Sequence, residues 1–282
     1  MTKILFPPMP APFQILIRKK NAPVAPILHS GKKASLGAFF FQTRLASECI
    51  CTIEASQDLR GWTLLSSGRN RSGDVLQTDP AAAKFSFRFY RATVGGLVSR
   101  NVVGYATVVL PQGFSMIANP FFTFSTAISD LFPDVSDGTT LCKLDSESFR
   151  LTNNTVRNGR WVGPDETLSP GEGAIFFNPE NELKNLYFTG EVCQGRLVNA
   201  IPAGLSIRSS LVPQSGKLDT DLGFPIAEGD VIHAFDRFEQ KYRVYPYTPK
   251  SWKNDAPVIG IGESFWVSKK TPANWVRKFL PR

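Results

Sequence analysis

Apolar and polar residues alternate with a period of two through most of this chain, in short runs broken by Gly, Pro, Asn and Asp. Residues 49–55 (CICTIEA) place Cys49, Cys51, Ile53 and Ala55 on one side and Ile50, Thr52 and Glu54 on the other. Residues 85–93 (FSFRFYRAT) align Phe85, Phe87 and Phe89 on one face. Residues 36–43, 61–65 and 75–78 read as further strands, separated by polar turns at 56–60 and 67–73 and followed by Asp79-Pro80. Strands this short and this closely spaced predict a small β-sandwich over residues 31–98. Ahead of it, residues 1–30 hold six prolines and no periodic pattern beyond 13–17 (FQILI), which predicts an extended arm or linker.

From residue 99 the pattern is written twice. At a constant offset of 91 the identities include Gly104/Gly195, Pro111/Pro202, Gly113/Gly204, Ser115/Ser206, Asp145/Asp236, Trp161/Trp252, Gly171/Gly262, Glu172/Glu263 and Phe188/Phe279. Glycine, proline and tryptophan holding one register point to an internal duplication, with copies at 99–194 and 195–282. Each copy opens with a strand (106–110 in the first) that ends at a Pro-x-Gly turn, Pro111 to Gly113 or Pro202 to Gly204. A second strand, a partly helical segment and a strand over 139–144 follow. A glycine turn at Gly171 or Gly262 then delivers the chain into a buried strand, read over 258–267 in the second copy. Segments 183–188 and 275–280 close the units. The expected fold class is all-β: a small β-sandwich followed by two duplicated sandwich- or barrel-like repeats.

Composition adds limits rather than an activity. The 282 residues carry 22 Gly, 21 Pro and 22 Phe, as suits many strands and tight turns. A net charge of +8 permits an anionic partner, but the Lys and Arg are scattered, which disfavours nucleic acid. No apolar run is long enough to span a membrane as a helix. The N-terminus makes a poor secretory leader, because prolines interrupt its apolar part and the main charges follow it. Cys49 and Cys51 share a strand face with β-carbons about 6.5–7 Å apart, too far to pair with each other. Cys142 and Cys193 pair only if the fold joins them. His29 and His233 are isolated and there is no C-x-x-C, so no metal site or cofactor is expected.

The chain lacks G-x-S-x-G, a P-loop, and a G-x-G-x-x-G opening a helix, and Gly260-Ile261-Gly262 precedes a strand. Asp145 with Glu172, and Asp236 with Glu263, form carboxylate pairs that recur once per copy. That recurrence favours a structural role, with Glu172 accepting turn amides, and no catalytic residues are expected. Trp161, Trp252, Trp266 and Trp275 with Tyr242, Tyr245 and Tyr247 are the aromatic candidates. Of these, Trp161, Trp252, Tyr245 and Tyr247 are taken as candidate sugar-binding residues, against the reading that they fill the core. Alternation puts Tyr245 and Tyr247 on one face and Tyr242 on the other.

Two stretches resemble known patterns. Ile53-Glu54-Ala55-Ser56-Gln57-Asp58-Leu59, Trp62-Thr63-Leu64, Thr78-Asp79-Pro80 and Arg88-Phe89-Tyr90-Arg91 are similar to fibronectin-type-III-like or immunoglobulin-like modules in large secreted proteins of Verrucomicrobia and related bacteria. Residues 113–120, 138–145, Trp161 and 168–177, with their partners in the second copy, resemble a repeat of secreted verrucomicrobial proteins. A looser likeness links them to modules of Bacteroidetes surface proteins. The resemblance implies an extracellular or cell-surface setting and a structural or adhesive role without catalysis. Protein is the implied partner, through self-assembly or a surface protein, and a polysaccharide is the alternative.

Overall fold

The computed structural model describes residues 27–33, 38–145, 148–164 and 166–280. The proline-rich arm and its run at 13–17 lie outside these residues, except that 27–30 open the strand Ile27–Lys33. Among the described residues the fold is all-β, with antiparallel open sheets and no barrel. The helical segment expected in the first copy is a single turn, Ile128–Leu131.

Strands Ile27–Lys33, Phe39–Leu45 and Gly73–Asp79 form a three-stranded sheet. It lies on a six-stranded sheet whose main order is Lys184–Glu191, Val103–Leu110, Phe87–Val94, Cys49–Ser56 and Thr63–Asn70, with Leu97–Val98 paired to Phe87–Val94. Between the sheets sits a core of Leu28, Phe39, Phe41, Cys51, Ile53, Tyr90, Val103 and Tyr105. The six-stranded sheet runs across the junction at residue 98, because the first repeat's opening strand pairs Ala106 to Phe87 and Gly104 to Phe89. That strand is apolar on both faces. Val103 and Tyr105 enter the sandwich core, whereas Ala106, Val108 and Leu110 enter a second core with Phe89, Phe121, Phe176 and Phe188. A strand buried on both sides loses its alternation, which is why VVGYATVV reads as nearly continuous apolar sequence.

The motif residues of the N-terminal module act as internal ties. Asp79, fully buried, accepts hydrogen bonds from Arg88 at 2.8 Å and from the Tyr90 hydroxyl at 2.7 Å. Arg91 pairs with Glu54 at 2.8 Å and lies over the Trp62 ring at 4.4 Å. Ser56 and Asp58 collect the amides of Leu59, Arg60 and Gly61 and so close the turn at 56–61.

The repeats share one register. In the first, a five-stranded sheet runs Arg160–Val162, Arg150–Arg157, Thr140–Asp145, Ala174–Asn178 and Gly113–Ile117. The second has Gly204–Arg208, Phe265–Lys269, Val231–Asp236 and Lys241–Pro246. Cys142 pairs with Ile175 and Ile175 with Met116, as His233 pairs with Trp266 and Trp266 with Ile207. Each of these residues is shifted by the same 91 positions.

The offset fails by one residue at Ala127, whose bridge to Thr167 is matched by Lys217 with Val258, and by two in the closing strand. Leu186 pairs with Val108, yet in the second copy Trp275 pairs with Asn199. The connection before that strand is shorter, running from Lys269 to Ala273 rather than from Asn178 to Lys184. The structural counterpart of Leu186 is therefore Trp275, and the Phe188/Phe279 identity is not an equivalence. The single strand read over 258–267 is two: Val258–Ile259 pairs with Gly216–Lys217, and Phe265–Lys269 follows a turn. The strand Arg150–Arg157 (RLTNNTVR) had no sequence signature, since few of its side chains are apolar.

Candidate functional site at the junction of the repeats

The two copies meet through contacts that come in reciprocal pairs. Ile117 bridges Glu263, and Arg208, its counterpart, bridges Glu172. The Ala118 amide donates to the Gly262 carbonyl at 2.9 Å, and the Ser209 amide donates to the Gly171 carbonyl at 3.0 Å. A β-carbon at Gly113 would meet the Gln240 side chain, and one at Gly204 would meet Phe149, which is the position equivalent to Gln240. Contacts i to j matched by j to i define an isologous interface, so the repeats are related by a pseudo-twofold axis. Gly171 and Gly262 sit beside it with φ of +91° and +77°, a region that glycine enters without strain.

The paired carboxylates are part of this junction, as structural ties. The Ser169 amide donates to Glu172 Oε2 at 2.8 Å, and the Gly260 amide donates to Glu263 Oε2 at 2.8 Å, so both close their turns as expected. Glu172 also faces Lys143 at 3.1 Å, and Glu263 faces Arg237. Asp236 instead accepts the amides of Phe238 and Glu239 and pairs with Arg243 at 2.9 Å. Asp145 accepts the Ser148 hydroxyl. Neither Asp is paired with the Glu of its copy.

The aromatic candidates do not form one platform. Trp161 packs on the first repeat's core and its indole donates to the Phe132 carbonyl at 3.2 Å. Trp252 packs on the second repeat's core and its indole donates to Asp219 at 2.7 Å. Tyr247 meets Trp252 edge-on at 5.2 Å, and Tyr245 packs against the same core. Tyr242 faces the opposite way, pairing with Phe235. Trp275 is buried, its indole donating to the Leu222 carbonyl at 2.8 Å.

Beside the axis, a cleft of about 610 Å³ opens between the first repeat's sheet and the second repeat's hairpin. Phe114, Met116, Cys142, Ile175 and Phe177 line one wall, and Phe235 and Tyr242 the other. The strands Gly113–Ile117 and Ala174–Asn178 place Ser115, Ile117 and Phe176 toward the core and Phe114, Met116, Ile175 and Phe177 toward the cleft. Apolar residues on both faces of these strands were the signal in the sequence. Gln240 fixes the frame: its side-chain oxygen accepts the Phe114 amide at 2.8 Å and its nitrogen donates to the Phe114 carbonyl at 2.8 Å.

All four cysteines are free, so Cys142 and Cys193 are not bridged. Burial, with Glu166 nearby, pushes the Cys142 thiol up, and burial pushes Cys51 and Cys193 up to about 11. Such thiols are poor nucleophiles at neutral pH. Burial also lowers the His233 pKa, favouring neutral imidazole. Among the described residues no group of three or more His, Cys, Asp or Glu is placed to hold a metal, and no helix is long and apolar enough to cross a membrane. No protein family matches this chain, and no curated protein or solved structure is significantly similar to it.

Proposed function

We propose that this chain is a non-catalytic structural or adhesive module of a bacterial cell-surface or secreted assembly, with protein as its partner. The observation that supports this best is the employment of its carboxylates. Glu172 and Glu263, the glutamates of the recurring carboxylate pairs, each accept a turn amide and face a cation of their own repeat. The surface setting rests on the resemblance carried by residues 48–93 and 104–282. Fractionation of the source cells tests it: recovery in the envelope or medium supports the reading, and recovery wholly in the cytoplasm overturns it. Carbohydrate binding is the second reading, favoured by the half-buried Tyr247–Trp252 pair. A glycan array decides between them. Binding abolished by Trp252→Ala replaces the structural role with a lectin role, and silence leaves the structural role standing.

A further inference from the structure

The cleft beside the pseudo-twofold axis goes beyond that reading, and three observations bear on what fills it. First, Phe114 (47% exposed), Tyr242 (47%) and Leu151 (50%) all converge on it. Single exposed apolar residues need no explanation, but three gathered at one concavity mark an interaction surface. Second, its walls carry two ring pairs, Phe114 with Phe177 at 5.0 Å and Phe235 with Tyr242 at 4.8 Å. These present ring faces and edges to an occupant, the arrangement in which aromatic contacts are favourable. Third, no Lys, Arg, Asp, Glu or His lines it. A charged ligand would be desolvated there without a counter-charge.

The polar groups are few and neutral. Thr140 and Asn153 belong to the lining, and the Tyr242 hydroxyl accepts the Trp266 indole hydrogen at 3.0 Å, leaving its own proton to donate. The volume lies within the range of roughly 300–1,000 Å³ typical of small-molecule sites. The Gln240 clamp on Phe114 holds the two walls in place without a ligand, so the site is preformed. The geometry points to an uncharged, ring-bearing small molecule with a minor polar part, bound between the paired rings of the two repeats.

The test uses the full chain and N-phenyl-1-naphthylamine, a neutral two-ring fluorophore. A saturable one-to-one fluorescence rise is expected, and the anionic analogue anilinonaphthalene sulfonate should bind at least about tenfold more weakly. Cys142→Phe fills the cleft and should weaken the neutral probe by about tenfold or more. Leu151→Trp, on the exposed rim, is the second variant should Cys142→Phe fail to fold, and it too should shift the affinity. Leu64→Ala, on the exposed outer strand of the N-terminal module, should leave it unchanged. Occupancy should also slow alkylation of Cys142, read by peptide mass spectrometry, while Cys49 reacts as before. Absence of a saturable rise overturns the proposal, as does equal affinity in both cleft variants or an unprotected Cys142. A signal that falls as protein concentration rises marks this face as taken by a second copy, and overturns it equally.

Discussion

The two repeats share a register but occupy different surroundings, and their side chains record the difference. In the first, Val103 and Tyr105 are buried under the N-terminal sandwich. The equivalent positions in the second are Gln194 and Arg196, and Arg196 is exposed on a two-stranded sheet, Gly195–Ile201 with Ala273–Phe279. The first repeat thus serves as a layer between two cores, whereas the matching face of the second, with Arg196 beside Lys278 and Val198 beside Val276, is exposed. The cores differ as well. Asn178 in the first repeat donates to the carbonyls of Pro111 and Glu182. At the matching position Lys269 pairs with Asp230 at 2.5 Å, both side chains 1% exposed, and Asp230 also accepts the Ala227 amide.

The largest expected effect breaks that buried pair. Lys269→Ala leaves Asp230 uncompensated in the core and should cost about 3–5 kcal/mol in urea unfolding. The exchange Lys269→Asn with Asp230→Thr, which installs the first repeat's residues, should cost clearly less. If Lys269→Ala costs under about 1 kcal/mol, the pair is not the anchor of this core. Next comes an exchange across the copies. Tyr105→Arg places a cation in the sandwich core and orphans the Ala82 carbonyl that the Tyr105 hydroxyl now reaches at 2.6 Å, and should cost about 3–4 kcal/mol. The reverse change, Arg196→Tyr, should stay within about 0.5 kcal/mol of wild type. Equal costs would mean that the two outer faces are not different environments.

How much of this was readable in the sequence follows from where side chains do one job or two. The offset between copies was legible because turn glycines tolerate few substitutes: Gly113 and Gly204 both hold φ near +90°, at +97° and +85°. Cys51, Ile53 and Ala55 shared a face as read, since one side of their strand fills a core. The Glu172 and Glu263 turns were legible from their recurrence. The shared sheet was not, because pairing Val103–Leu110 to Phe87–Val94 is a long-range choice that alternation does not encode. The two-residue slip at Trp275 was hidden by a chance Phe188/Phe279 identity. Most of the candidate tryptophans and tyrosines turn inward, while Phe114, Phe177 and Phe235, which carry no separate signal in the sequence, line the open cleft.

A smaller effect sharpens the symmetry of the junction. A β-carbon at Gly171 would come 2.8 Å from Asn199 Nδ2, and one at Gly262 would come 2.5 Å from Val108 Cγ2, position 108 being the equivalent of 199. Gly171→Ala and Gly262→Ala should each cost about 1–3 kcal/mol, from positive φ and from this crowding. Equivalent positions about one axis should respond alike. If only one of the two variants is destabilised by chemical denaturation, the twofold relation does not extend to the energetics.

The smallest effect concerns the hairpin tip that carries Gln240 to Phe114. The amides of Glu239 and Phe238, with Arg243 alongside, hold the Asp236 carboxyl below the ordinary carboxylate range. In the N-terminal module the amides of Arg60 and Gly61 hold Asp58 low in the same way. The folded state therefore binds a proton at these sites less readily than the unfolded chain does. Their stabilisation is complete above the unfolded value, near pH 4, and is lost as pH falls through the folded value. Asp236→Asn should lower stability at neutral pH and flatten the acid limb of the stability curve, and Asp58→Asn should do the same independently. Because Phe149 and Gln240 reach across to the opposite repeat, Asp236→Asn should also loosen the Gln240 clamp on Phe114, read as faster amide hydrogen exchange there. Exchange at Phe114 that stays unchanged while stability falls would separate the turn from the clamp and leave the cleft framed by sheet packing alone.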